Sequence, residues 1–219
     1  MSDEPETPAA TAAHWVAQLR SRAIGDSVWT EAVEGLRRIG FHAVPALIEA
    51  WSDEDAAIRH GVRKALHQIG PIVLSDVIDA LQHDQPAVRF EAASWLSGPA
   101  NQRQRLIADI VPPLIEAVND SESSVRLRAV QALSLMRETA HAAVPALIET
   151  LKDPEAYVSE WAAFALEAIG ACAGTAVPAL TEALLDDDSG VRDAASQALD
   201  RILAAENPGD GKERGIRDD

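Results

Sequence analysis

Val144-Pro145-Ala146-Leu147-Ile148-Glu149-Thr150, followed by Asp153-Pro154-Glu155 and then by Val158 and Leu166, is the stretch that decides how this chain folds. Near copies stand at Val44–Ala50, Val111–Ala117 and Val177–Ala183, with a weaker one at Leu74–Ala80. From Pro45 the phrase steps 30 residues to Ser75, 37 to Pro112, 33 to Pro145 and 33 to Pro178. Counting from each proline slot, offset 13 is β-branched: Ile58, Val88, Val125, Val158 and Val191. Offset 14 holds Arg59, Arg89, Arg126, Ser159 and Arg192, and offset 21 holds Leu66, Leu96, Leu133, Leu166 and Leu199. Five copies without slippage mark an array in which each unit buries its apolar face on the next. A degenerate sixth copy opens the chain, with Val28, Leu36, Ile39 and Gly40 lying 30 residues before Ile58, Leu66, Ile69 and Gly70, and Trp29 in the arginine slot.

Each unit reads as a helical hairpin. Proline belongs in the first turn of the first helix, where its missing N–H costs nothing. The second helix is expected to begin at an aspartate eight residues later, Asp53, Asp120, Asp153 or Asp186, acting as the cap. In the third unit His83-Asp84 shifts that cap by one, and in the fifth Pro154 follows Asp153 as the first helical residue. Gly40, Gly70 and Gly170 end second helices. Apolar residues at offsets 13, 17, 20, 21 and 24 form a stripe with the helical period, Val158, Ala162, Ala165, Leu166 and Ile169 in the fifth unit. Small residues at 17 and 20 let hairpins approach closely. Trp95 breaks that rule at offset 20, and Ser97-Gly98-Pro99 is expected to stop its helix early, with Ala100–Leu106 supplying the extra residues of the 37-residue step.

These features, the V-P-x-L-I-E-A helix, the turn aspartate, the V-R pair and the A-L near the end of the second helix, resemble the HEAT-repeat superfamily, in particular the short HEAT-like repeats of the phycobilin-lyase type. The resemblance runs from about Thr11 to Ala205. It implies an all-α, right-handed α-solenoid of six HEAT-like helical hairpins in one domain, at about 11–40, 41–70, 71–106, 107–140, 141–173 and 174–205. It also implies a ladder of repeated Asp and Arg joining adjacent hairpins, from which Ser159 and Trp29 depart. Tetratricopeptide and ankyrin patterns occur at no register. The acidic, Pro-containing segment 1–10 and the Gly-rich charged segment 206–219 lack an apolar period and are expected as disordered tails.

Composition excludes several functions. With 35 acidic against 19 basic residues and a net charge of −16, duplex nucleic acid and anionic membranes are poor partners. A single cysteine, Cys172, allows neither an intrachain disulfide nor a cysteine-cluster metal site. No uninterrupted run of about 18 apolar residues is present. The start, Met1-Ser2-Asp3-Glu4, has no signal-peptide layout, so a cytoplasmic, monomeric protein is expected.

Catalytic chemistry finds little support. None of the six histidines has a glutamate beside it, which removes H-E-x-x-H and the His-Glu dipeptides of the family's di-iron hydroxylases. His60 and His67, seven apart, read as solvated. Asp186-Asp187-Asp188-Ser189-Gly190 lacks the alternating ligands and the closing glutamate of a calcium loop, Gln197 standing at the twelfth place. The family's DNA glycosylases need a basic groove. Cys172 has no base placed beside it by spacing, and Arg103 and Arg105 read as a solvated loop. No enzyme, metal or cofactor is expected.

The remaining information lies on the face opposite the core stripe, offsets 12, 15, 19 and 22, which lines the concave side of a solenoid. Toward the N-terminal end this face carries Arg37 and Lys64. At its centre Phe90, Leu127 and Phe164 stand where polar residues belong, with Tyr157 beside them and Trp161 on the border. At the C-terminal end it carries Glu160, Glu167, Asp193 and Asp200. The candidate partner-binding residues are therefore Lys64, Phe90, Leu127, Gln131, Tyr157, Glu160, Phe164 and Glu167. The expected function is a non-enzymatic protein-interaction scaffold holding a protein or peptide segment with a basic portion. The alternative implied by the resemblance is a chromophore or small-ligand lyase accessory.

Overall fold

The computed structural model describes residues 7–20, 24–98 and 107–206. Residues 1–6 and 207–219 of the expected tails, and the linker that carries Arg103 and Arg105, lie outside the described residues. Among those described there are α-helices and short 3-10 turns and no strand, arranged as an all-α solenoid of alternating short and long helices. They are α1 (Pro8–Gln18), α2 (Ser27–Ile39), α3 (Val44–Glu49), α4 (Ala56–Ile69), α5 (Leu74–Asp79) and α6 (Pro86–Leu96). After the linker follow α7 (Ile107–Ala117), α8 (Ser123–Met136), α9 (Val144–Thr150), α10 (Ala156–Ile169), α11 (Val177–Ala183) and α12 (Ser189–Glu206). The chain divides into two compact units, Met1–Leu96 and Ser97–Asp219. Residues Pro8–Ala10, assigned to the N-terminal tail by sequence, are already helical, because Thr7 caps α1 by accepting from the Ala10 N–H.

In the N-terminal unit α1 packs on α2, α2 on α4, α3 on α4 and α5 on α6. In the C-terminal unit α7 packs on α8, α9 on α10 and α11 on α12, while α10 lies between α8 and α12. The core stripe is buried as the period requires: Ile58, Val62, Ala65 and Leu66 on α4, Val125, Ala129, Ala132 and Leu133 on α8, and all five stripe residues of α10. The small offsets bring helices close. At offset 20 a Cβ on Gly35 would come within 2.5 Å of the Trp15 ring, and at offset 16, outside the stripe, one on Gly61 would come within 2.6 Å of Leu19. The first copy differs: Val28 is 45% exposed, and Trp29 is buried in its place, its indole N–H donating to the Ala57 carbonyl. Trp95 is accommodated by α6 ending at Leu96, three offsets earlier than its sister α4. Pro45, Pro145 and Pro178 sit in first turns as expected, whereas Pro112 and Pro113 lie inside α7, which begins five residues upstream of them.

The turn aspartates do not cap the second helices. Their side chains accept the backbone N–H two residues on, Asp53 from Asp55, Asp120 from Glu122, Asp153 from Glu155 and Asp186 from Asp188, each at 2.9 Å. These are Asx turns, one step ahead of the helix. The N-cap comes two residues later: Asp55 accepts from Ala57, while Glu122 and Glu155 make no side-chain cap bond. Pro154 thus precedes α10 and is not its first residue. His83 is not a shifted copy either. It occupies the aspartate slot, and its Nδ1 accepts the Gln85 N–H at 3.1 Å.

The repeat arginine completes this turn. Arg59, Arg89, Arg126 and Arg192 each donate from Nη1 to the carbonyl six residues back, on Asp53, His83, Asp120 and Asp186. Ser159 does the same with its hydroxyl, to the Asp153 carbonyl at 3.2 Å. The slot thus satisfies a turn carbonyl that would otherwise lack a partner. Rungs between hairpins are local. Arg126 donates from Nε and Nη2 to the Asp153 carboxylate at 2.7 and 2.9 Å, a two-pronged pair that raises the arginine's pKa further above its ordinary value. In the N-terminal unit Arg63 donates to the buried Glu91 carboxylate, and Arg59 lies 3.3 Å from it.

Second helices close on a positive φ at Gly40 (66°), Gly70 (96°) and Gly170 (70°). Arg137 takes the equivalent place after α8 with φ 52°, a region that a side chain disfavours. The stretch Ala156–Ala183, of mean hydropathy 1.5 in its most apolar window, is long and apolar enough to cross a membrane, a test that uninterrupted apolar runs did not reveal. It is not one helix: Gly170 and the non-helical Ala173 divide it into α10, a 3-10 segment and α11, and Val158, Ala162, Leu166, Ile169 and Leu180 are buried in the unit.

Candidate functional site

On α10 the residues not used by the core return every three or four positions: Tyr157, Glu160, Trp161, Phe164 and Glu167. This spacing places them on one side of the helix. Tyr157 is 40% exposed, and its hydroxyl donates to the Ser123 Oγ of α8 at 2.7 Å. Phe164 and Trp161 are half-buried and meet edge to face, centroids 5.7 Å apart. Glu160 is half-buried, and its carboxyl group lies against the start of α12, where a Cβ on Gly190 would come within 3.2 Å of it. Glu167 is half-buried too. On α8 Leu127 and Gln131 are half-buried, and the Gln131 Oε1 accepts from Arg128 at 2.9 Å. Asp193 and Asp200 are exposed on α12. Since α8, α10 and α12 are packing neighbours, six of the eight candidate residues come together on this unit.

Lys64 and Phe90 belong to the N-terminal unit. Phe90 is half-buried on α6. Lys64 is exposed on α4 and holds its ammonium 5.0 Å from the centre of the Trp29 ring, a cation–π contact. His60 and His67, read from sequence as solvated, are stacked on indoles. His60 lies on Trp29 at 5.7 Å and His67 on Trp95 at 5.0 Å. The signal for these stacks was present in the two tryptophans that break the repeat pattern. Among the described residues no three His, Cys, Asp or Glu side chains are grouped to hold a metal.

A feature outside the sequence reading is a groove of about 490 Å³ lined by Leu151, Lys152, Asp153, Ala179, Glu182 and Leu185. Lys152 and Glu182 form an ion pair at 3.0 Å beside it. Leu185 is 86% exposed, and its offset, 7, holds Ser52, Gln82, Asn119 and Lys152 in the other copies, so the anomaly was legible in the repeat.

The HEAT-repeat family pattern matches residues 12–97, 74–167 and 111–200. The chain belongs to the HEAT-repeat family. No curated protein matches it. Among solved structures it is similar to an engineered protein, at 23% identity over 89% of this chain and 97% of that one, with a TM-score of 0.58. A designed armadillo repeat protein in complex with the peptide (KR)4 is 20% identical over 87% of this chain and 99% of its own, also with a TM-score of 0.58. Computationally designed armadillo repeat proteins for modular peptide recognition match at 20% identity, TM-score 0.56, over 87% of this chain and 99% of theirs. At these identities the likeness concerns the fold.

Proposed function

We propose that this chain is a non-enzymatic protein-interaction scaffold that holds a peptide or protein segment on the face of its second helices. The observation that carries the reading is the partial exposure of Leu127, Tyr157 and Phe164 beside core stripes that are buried at offsets 13, 17, 20 and 21. Those stripes already satisfy the packing of α8 and α10, so the extra apolar side chains are surplus to the fold. Phe90 and Lys64 extend the same reading to the second helices of the N-terminal unit. The carboxylates Glu160, Glu167, Asp193 and Asp200 favour a partner with a basic portion and would accelerate its encounter in a salt-dependent way. The designed armadillo protein bound to (KR)4 supports this reading by analogy of fold and ligand charge.

Selection of binders to the full chain from a randomised peptide library tests the proposal. The expected winners have an apolar centre and a basic end. They should lose about thirtyfold or more in affinity on Phe164→Ala combined with Tyr157→Ala, while the melting curve of that variant stays cooperative. Winners that bind the double variant as tightly as the parent would contradict it.

A further inference from the structure

The two units use aromatic rings and charge in complementary ways. On α4, Lys64 covers the Trp29 ring and the imidazoles of His60 and His67 lie on the Trp29 and Trp95 indoles, so these two rings are stacked by the unit's own side chains. At the offset of Lys64, α10 carries Phe164. Among the described residues no lysine or arginine of the chain is stacked over Phe164, Tyr157 or Trp161. Carboxylates flank the ring instead, Glu160 one helical turn before Phe164 and Glu167 one turn after it. The side of α10 thus has an aromatic ring and two carboxylates, and among the described residues no cation of the chain is stacked on that ring.

We infer that the α10 stripe of Tyr157, Glu160, Phe164 and Glu167 reads an arginine side chain of the partner segment. This rests on the peptide-binding reading above and specifies its chemistry. A guanidinium is planar and weakly hydrated, so it lies flat on an aromatic ring while its edge N–H groups donate to carboxylates in its own plane. Glu160 and Glu167, each one turn from Phe164 along α10, are the acceptors assigned to that edge. A lysine ammonium satisfies either the ring or one carboxylate, and its tighter hydration shell makes the partly buried stripe a worse environment for it. The negative charge of Asp193 and Asp200 on the neighbouring α12 holds the local potential favourable to either cation. Selectivity therefore comes from the ring together with its two flanking acids.

The test titrates the full chain, by calorimetry, with three peptides of one length and one apolar centre, carrying arginine, lysine or citrulline at the same places. The arginine peptide is expected to bind about tenfold tighter than the lysine peptide. The citrulline peptide, planar but uncharged, is expected to bind weakest. Phe164→Leu keeps the apolar volume and removes the ring; it should erase most of the arginine-over-lysine preference while leaving lysine binding nearly unchanged. Glu167→Gln should weaken the arginine and lysine peptides and leave citrulline as it was. Equal affinity for arginine and lysine, or a preference that survives Phe164→Leu, overturns the arginine inference but leaves the peptide-binding reading standing. Failure of all three peptides to bind overturns the inference, and peptide selection on the same face then decides the broader reading separately.

Discussion

In the N-terminal unit Arg59 and Arg63 turn from α4 toward one buried carboxylate, Glu91 on α6; in the C-terminal unit Arg126 turns from α8 toward Asp153, in the turn before α10. Both arrangements tie one hairpin to the next, and the repeat arginine sits at the same offset. The difference is where the acid lies. Glu91 is on a helix, at an offset held by Gly61, Arg128, Trp161 and Ala194 in the following and preceding copies, so its pairing is private to that unit. Asp153 is a turn residue of the repeat itself, and the pair is available wherever aspartate follows arginine at that distance. Core composition diverges in parallel. Trp29, Trp51 and Trp95 are buried in the first unit, whereas Ala129, Ala132, Ala162, Ala163 and Ala165 line α8 and α10 in the second. A repeat frame thus fixes backbone and turn geometry while leaving the pairing of helices to local choice.

The largest effects are expected at the acids. The Arg126 and Asp153 side chains are only 12% and 6% exposed. Asp153→Ala removes both prongs and the Asx turn, leaves a guanidinium without its partner, and should cost about 3 kcal/mol in denaturant melts. Glu91→Gln should cost less, about 1–2 kcal/mol, because Arg59 and Arg63 are about a third exposed and recover solvent. A Glu91→Gln loss equal to that of Asp153→Ala would show the two clamps to be equivalent.

The helix ends provide a smaller contrast. Gly70 and Arg137 share an offset and a positive φ. Arg137→Gly should stabilise the chain by about 1 kcal/mol, and Gly70→Ala should destabilise it by a similar amount. Thermal melts that move in the opposite direction would place the strain elsewhere. The smallest effect is expected on the surface of α2. The bonded Arg37 guanidinium holds the Glu34 carboxylate below its ordinary value of 4.5. A depressed carboxylate contributes stability above its unfolded value and loses it as pH falls through the folded one. The melting temperatures of wild type and Glu34→Gln should therefore differ slightly at neutral pH and converge in acid.

Periodicity carried most of the architecture because each offset faces one environment. Val125, Val158 and Val191 are buried for the same reason, and one copy taught the others. What the sequence could not convey was which of two roles a polar residue takes within a fixed slot. Asp53, Asp120, Asp153 and Asp186 stood at the right offset, yet the helix starts two residues later than a capping aspartate implies, and His83 fills the slot with an imidazole nitrogen. The pairing of Glu91 was hidden because it joins residues that share no offset. The candidate face was legible as apolar residues in polar slots, since a repeat supplies its own reference for each position. That Lys64 covers Trp29, while none of the described lysines and arginines is stacked on Phe164, required side-chain placement, because the two rings sit at different offsets.

The second-helix face of the C-terminal unit is the proposed binding surface. Hydrogen exchange of the full chain, measured with and without the arginine peptide, tests it directly. Slowed exchange is expected in Ser123–Met136 and Ala156–Ile169, with α9 and α11 unchanged. Protection confined to α9 and α11, or no change in α8 and α10 at saturating peptide, would contradict it.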